Sequence, residues 1–330
     1  MTGNSSTAGK PRTSAVLLFD NFSNHCLANT IEPLRAANQY AGETLYDWQI
    51  IGLERGVVHS SSGLPVQASQ ALREHPGGDY LMLMPSYGFE EYTQRGPLQA
   101  IRSAATRFEH LVGMDAGAWL LAAAGLLDRH RATIHRDEFL RFRERFPEVD
   151  VVADRYVIDR RRLSCGGVVT ALELVLALIE AHHGAMLRLQ IASLFMLGEA
   201  PSDALSSARQ RYNRHQMIDN AVACMHRHLE EPLPIGAIAA ELGLRQRQLE
   251  TLFGERVGRT PQQVYKHLRL LEVRRLLEAS NESITTIALR CGYSNASAMT
   301  RAFRQAFGMA PRELRRDNNG FHRHEQRTRP

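Results

Sequence analysis

LPIGAIAAELGLRQRQLETLFGERVGRTP, residues 233–261, has a partner later in the chain: SITTIALRCGYSNASAMTRAFRQAFGMAP, residues 283–311. The two match at an offset of about 49 residues, which becomes about 50 after one inserted residue. Ile235, Ile238, Ala239 and Leu242 answer to Ile284, Ile287, Ala288 and Cys291, and Gly243 to Gly292. Leu249, Leu252, Phe253, Gly258 and Pro261 answer to Met299, Ala302, Phe303, Gly308 and Pro311. Apolar residues at i, i+3, i+4 and i+7 place one face of a short helix in a core. A glycine then ends that helix, because it takes positive φ with no Cβ to clash. The small Ala239 or Ala288 lets a second helix cross closely. Each copy therefore predicts a helix, a tight turn and a second helix.

The second helix of each copy has a polar outer face. In the first copy it carries Gln246, Arg247, Glu250 and Thr251; in the second, Asn295, Ser297, Thr300 and Arg301. Arg bonds guanine in two places, Asn or Gln does so with adenine, and Glu accepts from cytosine. Arg304, Arg259 and Arg312 suit phosphates, which position without specifying. Between the copies, residues 264–280 predict one amphipathic helix through Val264, Leu268, Leu271 and Leu276. A rigid helix there would fix the two outer faces about one DNA turn apart.

Charge follows the same division. Residues 1–200 hold about 19 Lys and Arg against about 22 Asp and Glu; residues 201–330 hold about 21 against about 13. Only the second part suits a polyanion. No run reaches the roughly 18 apolar residues of a membrane span. Four scattered cysteines argue against a zinc site and against a disulfide framework, so no metal or cofactor is expected and a cytoplasmic, reducing setting is.

The first part alternates strand-like and helix-like runs. Strands are expected at 15–19, 48–53, 80–85, 110–114 and 156–159, and helices at 28–40, 98–108, 118–127 and 137–146. That alternation predicts an α/β domain with a largely parallel sheet. Two apolar helices, 171–182 and 186–197, follow. The expected layout is a disordered lead-in (1–13), an α/β domain (14–198), a linker (199–213), an all-α domain (214–317) and a tail (318–330).

The module from about 218 to 314 resembles the AraC/XylS-type DNA-binding domain, through IAAELGLRQRQLETLF, LRLLEVRRLLEAS and ITTIALRCGYSNASAMTRAFRQAFGMAPREL. That resemblance implies a transcription regulator acting at asymmetric promoter sites, usually as an activator, with RNA polymerase as a further partner. The first domain looks like the DJ-1/PfpI (class I glutamine-amidotransferase-like, flavodoxin-like sandwich) domain, through its strand order, the elbow GMDAG at 113–117 and AAAGLLDRHRATIH at 122–135. The combination resembles the GlxA-like group of regulators, which implies a homodimer.

The enzymes of the DJ-1 class place Cys at the elbow. This chain has Asp115 followed by Ala116, and Asp is a poor acyl-transfer nucleophile. A non-catalytic sensor cleft is therefore expected at the carboxyl ends of the strands. Its candidate lining is Glu32, Ser86, Tyr87, Asp115, Ala116, Trp119 and His135. A carboxylate near aromatic rings suits a nitrogenous cation such as an amino acid, a betaine or a carnitine-like compound. The competing readings are a DJ-1/PfpI-class amidase or hydrolase with an accessory DNA-binding domain, and an architectural DNA binder without sequence preference.

Overall fold

A computed structural model of the chain describes residues 10–195, 208–280 and 282–315. It divides into two compact units, Met1–Ile191 and Ala192–Pro330. Residues 1–9 of the expected lead-in (1–13) and the tail lie outside the described residues, as do residues 199–207 of the expected linker; Arg12 and Thr13, expected in the lead-in, open the first strand, and residues 208–213 begin a helix.

In the first unit the order is β1 (Arg12–Leu18), α1 (Asn24–Ala41), β2 (Tyr46–Gly52), β3 (Gly56–His59), β4 (Pro65–Ala68), β5 (Gln70–Ala71), β6 (Gly78–Met84), α2 (Arg95–Ala105) and β7 (Phe108–Met114). Then come α3 (Gly117–Ala123), β8 (Arg131–Ala132), α4 (Phe139–Arg145), β9 (Asp150–Val151), β10 (Tyr156–Asp159), β11 (Arg162–Cys165), α5 (Val168–His183) and α6 (Ala185–Leu194). A seven-stranded sheet runs β10-β11-β7-β6-β1-β2-β5. Within that sheet only the β10–β11 edge pair is antiparallel.

Successive side chains of a strand point to opposite faces. Val16, Met82, Val112 and Leu163 are partners across β1, β6, β7 and β11, and lie in one buried layer with Ala171, Leu174 and Leu178 of α5. Ala15, Leu17, Leu81, Leu83 and Leu111 face the other way, onto Ile101 and Ala104 of α2 and Ala118 and Leu121 of α3. The sheet is thus covered on both faces, as a parallel sheet requires.

The sequence missed β11 and the β3–β4 hairpin. Cys165 closes a run, RRRLSC, that shows no alternation, because Leu163, Ser164 and Cys165 are all buried in a sheet covered on both faces. The expected helix at 137–146 is a 3-10 turn, Arg136–Glu138, followed by α4. The expected helix at 118–127 stops at Ala123, two residues before Gly125 takes a φ of 70°.

At the amino ends of β2 and β6, the hydroxyls of Tyr46 and Tyr80 lie 2.9 and 3.0 Å from the two ring nitrogens of His182. One ring nitrogen donates and the other accepts only if the imidazole is neutral. Burial, reinforced by the nearby Arg12 charge, pushes the His182 pKa down to about 4. An unfolded histidine titrates near 6.5, so between those values the unfolded chain binds more protons. The first unit should therefore lose stability as the pH falls from about 6.5 towards 4. In thermal melts across that window, His182→Phe should flatten the slope. It should also lower the melting point at pH 7, because two buried hydroxyls lose a partner at about 1–3 kcal/mol each. An unchanged slope would refute the assignment.

The second unit is helical: α7 (Ala208–Arg227), α8 (Ile235–Glu241), α9 (Gln246–Val257), α10 (Pro261–Ala279), α11 (Ile284–Arg290) and α12 (Ala296–Phe307). Gly243 and Gly292 take φ of 68° and 71° at the two turns, as their spacing predicts. Thr260 caps α10 by accepting from Gln263 N, and the Gln263 side chain accepts from Thr260 N. Glu313 bonds back to Ala310 N in the same way after the second copy.

α10 departs from its expected single stripe. Val264, Leu268 and Leu276 are buried but Leu271 is only half-buried, while Leu270, Val273 and Leu277 are buried as well. The cause is that α10 serves two cores. Its first half meets α7 and α9, and its second half meets α11 and α12. Apolar residues therefore wrap around the helix instead of keeping to one face.

Candidate functional site

The outer faces of α9 and α12 are built as the repeat suggests. Leu249, Leu252 and Phe253 of α9 are buried, as are Met299 and Phe303 of α12; Ala302 is only half-buried. Gln246, Arg247, Glu250 and Thr251 are exposed on α9. Ser297, Arg301 and Arg304 are exposed on α12, and Thr300 is half-buried.

Some of these side chains are already engaged. Gln246 Nε2 donates to Glu250 Oε1 at 2.8 Å, and Thr251 Oγ1 donates to Arg247 O. Asn295 is the N-cap of α12: its Oδ1 accepts from Ala298 N at 2.8 Å. Its Nδ2 also donates to Ser294 Oγ at 3.3 Å, which leaves one amide N–H for a base edge, so the two-point adenine contact expected of it is halved.

The arginines divide in an informative way. Arg227, Arg274, Arg275 and Arg290 pair with Glu241, Glu278, Glu272 and Glu282. Arg247, Arg301 and Arg304 form no ion pair among the described residues. Unpaired guanidinium groups on two outer faces leave their charge available to a polyanion.

Sequence reasoning missed Arg269 on α10. Its Nε and Nη2 donate to Cys291 O at 2.6 Å and Gly292 O at 2.5 Å. Its guanidinium also stands 4.2 Å from the centre of the Tyr293 ring. It therefore fixes the turn that aims α12. No periodicity in the sequence signals such a bond.

In the first unit, β7 ends at an elbow. Asp115 takes a φ of 58° there and is 6% exposed. Ser86 Oγ donates to Asp115 Oδ2 at 3.0 Å, and the His135 amide donates to Asp115 O at 3.3 Å. Ala116, the N-cap of α3, donates from its own amide to Pro85 O. Burial raises the Asp115 pKa, and the Ser86 bond and the His135 ring partly oppose that rise. Gly167 lies against the carboxylate, so that a Cβ there would stand 3.1 Å from Asp115 Cγ. Val168 follows with a φ of 27°. A non-glycine residue held at positive φ costs on the order of 1–3 kcal/mol and persists only where its surroundings enforce it.

The candidate lining is therefore only partly assembled. Ser86, Asp115, Ala116 and the backbone of His135 meet, and Tyr87 beside Ser86 is 69% exposed. Glu32 does not join them: it is exposed on α1 and pairs with Arg35 at 2.7 Å. Trp119 is buried instead among Phe89, Phe142 and Phe146, with Arg141 over its ring. Cys26 and Cys165, separated by about 139 residues, are buried near Asp115, and their thiols are pushed up mainly by burial, Cys165 to about 11. Neither is a thiolate at neutral pH.

Among the described residues no group of three or more His, Cys, Asp or Glu could hold a metal ion, and no helix is long and apolar enough to cross a membrane. A helix-turn-helix domain family matches residues 238–317. The transcriptional regulator CdhR of Pseudomonas aeruginosa is 32% identical over 91% of this chain and 90% of its own. The regulator GlxA of Rhizobium meliloti is 32% identical over 91% of this chain and 94% of its own. A THiJ/PfpI family protein from Pseudomonas syringae aligns over 78% of this chain and 91% of its own at 15% identity, with a TM-score of 0.51, a likeness of fold. With its paired helix-turn-helix units behind a DJ-1/PfpI-like α/β domain, the chain belongs to the GlxA-like group of AraC-type regulators and is a DNA-binding regulator of transcription.

Proposed function

We propose that α9 and α12 read bases in successive major-groove segments of a promoter, and that a small nitrogenous cation bound at Asp115 controls this binding. The observation that carries the effector reading is the carboxylate itself. Asp115 is buried and has no ion pair among the described residues, and its one side-chain hydrogen bond comes from an uncharged hydroxyl. A buried charge that is only partly compensated is costly, so a cation entering the elbow would relieve it. Ligands of that chemistry are amino acids, betaines and carnitine-like compounds, and the Tyr87 ring offers a π face to them. The elbow is read as non-catalytic, because it presents a carboxylate and the thiols beside it are protonated. A cytoplasmic homodimer acting as an activator through RNA polymerase completes the reading.

Calorimetric titration of the full chain with a panel of such compounds tests the effector. Saturable binding of at least one is expected, and no binding by any would refute the reading. For the DNA half, in vitro selection from a random duplex pool gives the preferred site. Arg301→Ala should then lower affinity for that site by about 1–3 kcal/mol and abolish preference at one base position. Uniform weakening without relaxed preference would show Arg301 to be a phosphate contact.

A further inference from the structure

A cleft of about 350 Å³ opens inside the second unit, between the two helix-turn-helix copies. Gly258 and Arg259 at the end of α9 form one wall, and Ala302, Gln305 and Ala306 of α12 form the other. Gln263, Lys266, His267 and Leu270 of α10 form the floor.

The chemistry of this lining is one-sided. It contains no carboxylate. Arg259 and Lys266 are exposed and make no ion pair among the described residues. Gln263 Oε1 accepts from Thr260 N, which leaves its amide N–H groups as donors. Burial and the Arg259 charge lower the His267 pKa, so the positive charge here is that of Arg259 and Lys266. The small side chains of Ala302 and Ala306 keep the α12 wall low.

The cleft also borders both reading faces. Gly258 lies seven residues after Thr251 and eleven after Arg247, which returns it to the same line of α9. Gln305 stands one turn beyond Arg301 on α12. Two helices in successive major-groove segments must straddle the minor groove between them, which is edged by phosphates. From this we propose that the cleft is a seat for the DNA backbone crossing between the two reading helices, with Arg259 and Lys266 each neutralising a phosphate. The inference rests on the reading that both α9 and α12 enter the groove.

The test uses the full chain and two labelled duplexes, one carrying the selected site and one of scrambled sequence. Arg259→Gln/Lys266→Gln is compared with Arg95→Gln/Arg136→Gln, which removes two exposed charges from the first unit. Each phosphate contact releases about 0.9 counterion, so the slope of log K against log salt should fall by about 2 in the cleft variant. At about 0.1 M salt the affinity should fall by roughly tenfold per side chain, on both duplexes alike. Base preference should not change. Phosphate ethylation between the two protected major-groove segments should block the wild type but no longer the variant.

An unchanged slope, or a loss confined to one base position, would overturn the proposal. So would intact DNA binding with lost transcription in a reconstituted polymerase assay, which would mark the cleft as a seat for an acidic protein. If Arg247→Ala and Arg301→Ala both leave base preference intact, the groove reading fails instead, whatever the cleft variant does to the salt slope.

Discussion

Phe303→Ala should abolish specific DNA binding while leaving the first helix-turn-helix copy folded. Phe303 is fully buried at the centre of the second core, with Leu270, Val273, Leu276 and Leu277 of α10, Ile287 and Ala288 of α11, Cys291 of the turn and Met299 of α12. Its ring centre lies 4.6 Å from that of Phe307. Removing a buried phenylalanine costs about 3–5 kcal/mol, much of the stability of a small domain. The melting transition of the second unit should fall by more than about 10 °C. Hydrogen exchange should show protection lost from α11, α12 and the second half of α10, but kept in α7, α8 and α9, which pack in the other core. Affinity for the selected site should drop at least about 100-fold, because one reading helix no longer holds its aim. Binding within twofold of wild type would show that the second copy does not read DNA. Arg301→Ala separates the two roles, since it removes a reading side chain and leaves this core intact.

What the sequence made legible follows from the range of the forces involved. The two copies were readable because their determinants are local: an apolar period, a glycine at the turn and a proline opening the next helix. Asn295 shows the limit even there. An Asn just before a helix is a standard cap, yet a polar residue beside a recognition helix also looks like a reader. The parallel sheet was readable from its apolar runs, but β11 was not, because its place is set by β7 and β10 and not by its own pattern. α10 looked like a one-sided helix because a sequence period cannot reveal that two cores share it. The surroundings of Asp115 were the least legible. Ser86, His135 and Gly167 come from three separate loops, and only the folded chain brings them to one carboxylate. Trp119 follows Asp115 closely in the chain, yet packing takes it into the aromatic core, and Glu32 goes to the surface.

Asp115→Asn should stabilise the first unit and at the same time remove its effector. Asparagine keeps the shape, and its Oδ1 still accepts the Ser86 hydroxyl; only the charge is gone. Burial raises the folded pKa of Asp115 above the ordinary aspartate value of about 3.9. Between those two values the folded state binds more protons than the unfolded state, so stability declines as the pH rises through that window. Above the raised value the penalty is constant. The asparagine variant carries none, so it should melt higher at pH 7, and the difference should vanish towards pH 3. This slope has the opposite sign to that of His182, so wild-type-minus-variant melts across the pH range isolate it. A cationic effector needs the carboxylate, and truncating one partner of a buried charged contact costs about 2–5 kcal/mol. Effector affinity should therefore fall at least about 30-fold in the variant, and in the wild type it should weaken as the pH drops through the raised pKa. A variant that melts higher but binds effector unchanged would place the ligand away from the elbow. A variant that melts lower would show that the Asp115 charge is compensated within the fold, and the electrostatic ground for a cationic effector would be gone.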